Sequence, residues 1–267
     1  MRLALTIAYD GSAFYGSAYQ PRLRTVEGDL ASCLADMGVI ERTAGGVVHL
    51  ASRTDRGVSA AGNVCAFDSS LGPESLLPGL VHTLEDIWVT GAAVVDDRFH
   101  PRHAASKTYR YYLPQQGLEV ESMRQAAQIF VGQHDFSAFA KLDGRNPERT
   151  VTDVGVEQRD GLLVIEVTGT SFLWNQVRRM VAAVAAAGRG DITPEEMAQM
   201  LAGASCRDPG IASPEYLLLA RVSYRPAIAW QPVSGSARFL ERRVADMAAR
   251  HALFVDMHTL ATGATSK

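Results

Sequence analysis

With 267 residues, the chain is long enough for one large domain or two smaller ones sharing an interface. Its 47% hydrophobic and 21% charged residues suit a globular fold, and its formal charge of −3 argues against a histone-like polybasic binder. A local basic cleft stays open, because steering depends on where charges sit.

The opening RLALTIAYDG alternates: Leu3, Leu5, Ile7 and Tyr9 share one face of a strand that Asp10-Gly11 ends. TVEGDLASCLADMG places Val26, Leu30, Cys33, Leu34 and Met37 at helical spacing, with Thr25 as a starting cap and Gly38 as a stop. GGVVHLAS and GNVCAFDS read as the next two strands. PESLLPGLVHTLED has a helical pattern that Pro78 is expected to split or bend. IWVTGAAVV is a fourth strand. Strand, helix, strand, strand, helix, strand is the order of a ferredoxin-like or RRM-like half.

The second half repeats that order loosely. KTYRYYL is a strand, and EVESMRQAAQIFVG a helix with Met123, Ala126, Ala127 and Phe130 on one face. VTDVGVEQ and LLVIEVTG flank RDG as a hairpin. FLWNQVRRMVAAVAAAG is a helix ended by Gly188, TPEEMAQMLAG a short helix with Pro194 in its first turn, and YLLLARVSY a last strand. The expected fold class is α+β: two ferredoxin-like halves forming a continuous, mainly antiparallel sheet, flanked by helices, with a cleft between them. The expected boundaries are 1–104, 105–225, and a helical extension and tail over 226–267, in which RFLERRVADMAARH is helical and the closing TLATGATSK disordered.

Cys33, Cys65 and Cys206 stand far apart without C-x-x-C spacing, so no zinc site is read from them and each is expected to be a small, reduced apolar residue. No apolar run approaches a membrane span and the N-terminus lacks a signal-peptide pattern, which makes the cytoplasm the expected location.

Four stretches can carry chemistry. In SRTDRG, Asp55 stands between Arg53 and Arg56 just past a strand, with Gly57 next. This is either a solvated ion pair or a carboxylate held ionised for a task. In RFHPRHAASKTYRYYL, four Arg/Lys and two His run from Arg98 to Arg110 with no acid, and aromatics follow. Cations that meet phosphate and rings that stack on bases suit a nucleic-acid surface; a basic turn feeding a core strand is the alternative. Tyr109, Tyr111 and Leu113 share one face of that strand, Arg110 and Tyr112 the other. FLWNQVRRMV puts Arg178 and Arg179 inside an apolar helix. Either one arginine turns inward and needs an acid, for which Asp55 would serve, or both snorkel. VGQHDFSAFAK offers His134 and Asp135 without a third ligand, and reads as a helix C-terminus with its turn at Gly132 rather than a metal site.

Taken together, YDGSAFYG, TVEGDL, SRTDRGVSAAGNV, FHPRHAASKTYRYYL, FVGQHDFSAFAK, FLWNQVRRMV and SPEYLLLARVSY resemble, in order, the motifs of the TruA-type tRNA pseudouridine synthases. Gly16-Ser17-Ala18 stands where bacterial members have G-W-Q, Ser52 replaces a glycine, and Arg56-Gly57-Val58-Ser59 replaces Ala-Gly-Val-His. The wording is closer to the archaeal and eukaryotic branches.

That resemblance implies isomerisation of uridine to pseudouridine in the tRNA anticodon stem-loop, at positions 38 to 40, without cofactor or metal. It implies that Asp55 is the catalytic aspartate, that Tyr109 packs on the target base, where its hydroxyl could also shuttle a proton, and that Arg178 pairs with the carboxylate. It implies a homodimer that cradles tRNA. Arg53 and Arg56 are expected to hold Asp55 ionised and placed, and Arg22, Arg24, Arg102, Lys107 and Arg110 to line the RNA groove. Other readings are the same chemistry at another tRNA position, a non-catalytic tRNA-binding or chaperone protein, a carboxylate-dependent hydrolase and a structural subunit. The hydrolase would want a second carboxylate near Asp55, and no other acid lies between residues 42 and 67.

Overall fold

The computed structural model describes residues 1–41 and 45–262. β1 (Arg2–Tyr9) pairs antiparallel with β3 (Ser59–Asp68) on one side and β4 (Ile87–Val95) on the other. As a central strand it buries both faces: Ala4 and Ala8 are as enclosed as Leu3, Leu5, Ile7 and Tyr9. α1 (Val26–Asp36) begins where Thr25 Oγ1 accepts the Gly28 N–H at 3.1 Å, and buries Val26, Leu30, Cys33 and Leu34. β2 (His49–Leu50) is only two residues long and pairs with β3. α2 (Pro73–Thr83) runs unbroken through Pro78, contrary to the expected split. Pro78 removes one rung of the helix, while Leu76 and Leu80 on either side are fully buried and keep the turns docked.

After β5 (Ser106–Pro114) and α3 (Val120–Gln128) comes a short strand, β6 (Gly132–Asp135), which pairs with β7 (Glu148–Arg159). The expected helix C-terminus at His134 and Asp135 is therefore an edge strand. His134 Nε2 bonds the Val131 carbonyl, and Asp135 Oδ1 accepts the Ser137 N–H. β7 and β8 (Leu162–Gly169) form the expected hairpin, with Asp160 (φ 50°) and Gly161 (φ 76°) as its two left-handed turn residues. α4 (Gln176–Gly188) starts later than its apolar approach suggests, because Asn175 adopts φ 63° and separates Phe172–Trp174 from the helix. α5 (Pro194–Leu201) opens with a capping box of Thr193 and Glu196. β9 (Leu217–Ser223), β10 (Gln231–Pro232) and α6 (Ser236–Thr262) complete the order. α6 reaches four residues into the tail expected to be disordered; residues 263–267 lie outside the described residues. Cys33 and Cys65 are buried, and burial pushes the Cys65 thiol up to about 12, but Cys206 is exposed rather than apolar core.

The sheet runs β10-β4-β1-β3-β9-β5-β8-β7-β6, with β2 beside β3. Neighbours β4-β1-β3-β2 and β9-β5-β8-β7 follow the same order, so one arrangement occurs twice. The two runs join through a short parallel pairing, Ser59 with Leu218 and Ala60 with Leu219. Gly62 permits this approach: a Cβ there would lie 2.7 Å from the Ala220 carbonyl oxygen.

Candidate active site

The loop between β2 and β3 carries Asp55, and a buried polar network holds the loop from below. Asn63, fully buried on β3, accepts the Ser52 N–H at 3.2 Å and donates to the Ser52 carbonyl at 2.9 Å and to Tyr9 Oη at 3.1 Å. Tyr9 Oη also shares a hydrogen bond with Thr54 Oγ1 at 2.8 Å. The Thr54 N–H donates to Ser17 Oγ at 2.7 Å, and the Ser17 N–H returns a bond to the Thr54 carbonyl at 3.0 Å. Gly57, at φ +86°, closes the loop under Pro214 and donates to the Gly11 carbonyl. Removing the central amide in Asn63→Ala is expected to lower unfolding free energy by about 3 kcal/mol, since each stranded buried group costs about 1–3 kcal/mol. Chemical denaturation checks this, and a loss below about 1 kcal/mol would show that water replaces the amide.

Arg178 on α4 reaches across the seam. Its Nη1 donates to Asp55 Oδ2 at 3.2 Å and to Asn175 Oδ1 at 3.2 Å, and its Nε donates to the Ala212 carbonyl at 2.8 Å. The two side chains are 14% and 32% exposed, Arg178 being the deeper. Arg53 and Arg56 do not hold Asp55 as expected. Both are exposed, and the Arg56 guanidinium lies 4.5 Å from the centre of the Tyr15 ring. Arg179 turns to Asp208 at 2.8 Å.

Tyr109 is buried beside Asp55. Its hydroxyl shares a 3.0 Å hydrogen bond with Ser52 Oγ, and Phe172 packs edge-on against its ring at 5.4 Å. Burial, the largest influence, raises the phenol pKa, so the group stays an O–H near neutral pH.

Asp55 and Tyr109 line a cleft of about 550 Å³ together with Arg53, Arg56, Arg102, Lys107, Lys141, Arg145 and Arg149. Asp143 is the only other acid among the lining residues. Among the described residues, none of these seven cations lies within ion-pair distance of a carboxylate. Burial, then Arg53 and Arg145, lower the Arg102 pKa; burial, then Arg145, lower that of Arg149. The cleft is thus a concentration of uncompensated positive charge. Three residues expected in the RNA groove do not line this cleft. Arg24 is engaged by Asp29 and Asp86 at 2.9 Å each, and Arg110 by Glu166 at 2.5 Å across the β5–β8 pair. Arg22 occupies an exposed turn at φ 66°. Lys141, Arg145, Arg149 and Trp174 were not singled out by sequence reasoning, although KLDGRNPER carries a basic signal.

Among the described residues, no group of three His, Cys, Asp or Glu could hold a metal, and no helix is long and apolar enough to cross a membrane.

The family described as tRNA pseudouridine synthase matches residues 126–225. A chain of a solved Cbf5-Nop10-Gar1 complex overlaps 69% of this chain and 44% of its own at 12% identity and a TM-score of 0.37, too slight a likeness to build on. The tRNA pseudouridine synthase A of Pyrococcus abyssi is 44% identical over 84% of this chain and 85% of its own, and that of Methanoculleus marisnigri 41% over 91% and 90%. The Thermococcus kodakarensis enzyme of the same name is 47% identical over 96% of this chain and 98% of its own. Likeness at that level along nearly the whole of both chains means that this protein belongs to the tRNA pseudouridine synthase A family, isomerases that turn uridine into pseudouridine in tRNA.

Proposed function

We propose that Asp55 is the carboxylate that carries the isomerisation and that its target uridines lie in the anticodon stem-loop, at tRNA positions 38 to 40. The observation that carries this reading is the Asp55–Arg178 pair, set in a cleft whose other charges are nearly all cationic. In the reaction the N1–C1′ bond breaks, the base turns over, C5 bonds to C1′, and the C5 proton is lost as N1 gains one. Nothing is added or removed overall, so the balance calls for no cofactor. Arg178 engages Oδ2 and leaves Oδ1 of Asp55 to face the nucleoside. Tyr109 supplies a neutral ring beneath the base. Reaching Asp55 requires the uridine to leave its stack, which is cheapest in a loop or at a stem end and favours the anticodon arm.

Arg53, Arg56, Arg102 and Lys107, with Arg145 and Arg149, take the phosphates in this reading. A cleft of about 550 Å³ holds only a few nucleotides. The rest of the tRNA needs more surface, which a second copy of the chain is proposed to supply in a homodimer. Residues 1–104 and 105–225 are proposed as the two halves, which the repeated strand order supports, with 226–267 as an extension. The cytoplasm is the proposed location.

Unmodified tRNA transcripts incubated with wild type and Asp55→Asn test the reading, with pseudouridine mapped by carbodiimide-dependent primer-extension stops. Stops at 38 to 40 from wild type alone are expected. Stops elsewhere overturn the position, and stops produced by Asp55→Asn overturn the role of Asp55.

Lys107 adds a pH test. Its Nζ donates to the Ala51 carbonyl at 2.6 Å, and burial, then Arg102, lower its pKa to about 8. The free protein therefore disfavours its charge, which a phosphate restores. tRNA affinity is expected to be full below pH 8 and to fall as pH rises through it, with proton uptake on binding. Lys107→Arg should flatten that slope in a titration series; an unchanged slope would assign it to another group.

A further inference from the structure

We infer that Trp174 is a stacking platform for the nucleobase that flanks the flipped uridine, with Lys141 meeting that nucleotide's phosphate. The inference rests on the reading of the Asp55 cleft given above. The segment between β8 and α4 is tightly held. Phe172 packs on Tyr109, Leu173 is buried with its N–H donating to Gln176 Oε1 at 2.8 Å, and Asn175 turns into α4 while offering its side-chain oxygen to Arg178. Between those anchors Trp174 is 45% exposed, and it lines both the main cleft and the adjoining recess that Asp55, Tyr109 and Arg178 share.

Its backbone and ring are both engaged by Lys141. The Lys141 N–H donates to the Trp174 carbonyl at 2.9 Å in an isolated bridge, and Lys141 Nζ sits 4.1 Å from the centre of the ring. A solitary exposed indole means little by itself. An indole fixed at both backbone ends, carrying a cation and standing beside a carboxylate that needs an extruded base, has a specific use. Extruding the uridine strips a neighbouring base of its stacking partner, and an aromatic ring can replace that partner whatever the base. Lys141 has no carboxylate within ion-pair distance among the described residues, so its ammonium is available to phosphate. The ligand class is an unstacked nucleobase with its 5′ or 3′ phosphate.

The test uses tRNA transcripts that are abasic at the nucleotide 5′ of the target, 3′ of it, or at the target itself. Wild type, Trp174→Ala, Trp174→Phe and Asp55→Asn are compared by filter-binding Kd and by single-turnover rate, with melting temperature as the control for folding. Trp174→Ala is expected to weaken binding about 10- to 100-fold, the range of one base–aromatic stack, and Trp174→Phe to retain most of it. An abasic site at one flank should weaken wild type by the same factor and Trp174→Ala no further. Losses that multiply, a loss coinciding with the target base instead of a flank, or an alanine variant binding within about twofold of wild type overturn the inference. Binding of the abasic series by Asp55→Asn separates the two readings: turnover by that variant sinks the role of Asp55, whereas the flank pattern reports on Trp174.

Discussion

Asp55→Asn is expected to lower single-turnover pseudouridine formation by about four orders of magnitude, the scale on which a carboxylate central to a catalytic unit acts. The substitution keeps the shape and removes the charge. tRNA affinity is expected to hold or rise, because the variant takes one negative charge out of a cleft proposed to meet phosphates. Arg178 keeps its bonds to Ala212 and Asn175, so the helix should stay docked. Gel-shift affinity beside single-turnover rates checks both halves of the expectation. A variant that loses affinity and rate together would make Asp55 a member of the binding surface instead.

Arg178→Met should cut the rate about 10²- to 10³-fold with little change in KM, the cost typical of losing one fixed electrostatic partner. Arg178 touches Asp55 without facing the cleft broadly; it lines only the small recess. Its proposed role is to place the carboxylate, and three acceptors in turn place the guanidinium. Lysine has no planar fork with which to meet them, so Arg178→Lys should recover only a small part of the loss. Full recovery in stopped-assay kinetics would mean that positive charge alone matters, wherever it sits.

Much of this was legible in the sequence, for physical reasons that also mark the limits. Strands such as IWVTGAAVV and the helix of Thr25 to Asp36 announce themselves through apolar period and caps, and their bounds match closely. β6 does not: Gly-Gln-His-Asp has no alternation, and becomes a strand only because β7 lies beside it. The apolar Phe-Leu-Trp before α4 mimics a helical turn until Asn175 takes a left-handed conformation. The Asp55–Arg178 pair spans 123 residues, so motif likeness suggests it and spacing alone leaves it open. The cations expected in the groove differ from those lining the cleft where pairing depends on register. Arg110 belongs to Glu166 because β8 sets the two opposite each other, and no linear count reveals that. Ser17, Ser52, Thr54 and Asn63 look like ordinary surface polar residues in the string, yet all four are buried within or beneath the loop.

The seam between β3 and β9 is only two residue pairs wide. The Asp55 loop leads into one of its strands, and the Ala212 segment that holds Arg178 leads into the other at the same end. One step of slippage along a strand is about 3.3 Å and turns every side chain to the opposite face. A shift of that size at Ser59 or Leu218 would part the carboxylate from its guanidinium while leaving the strand pairing on either side of the seam whole. At Gly62 the seam admits no larger residue in place, because any added carbon meets the backbone of the other half. The smallest side chain of β3 is thus one that the seam cannot enlarge without moving its own backbone.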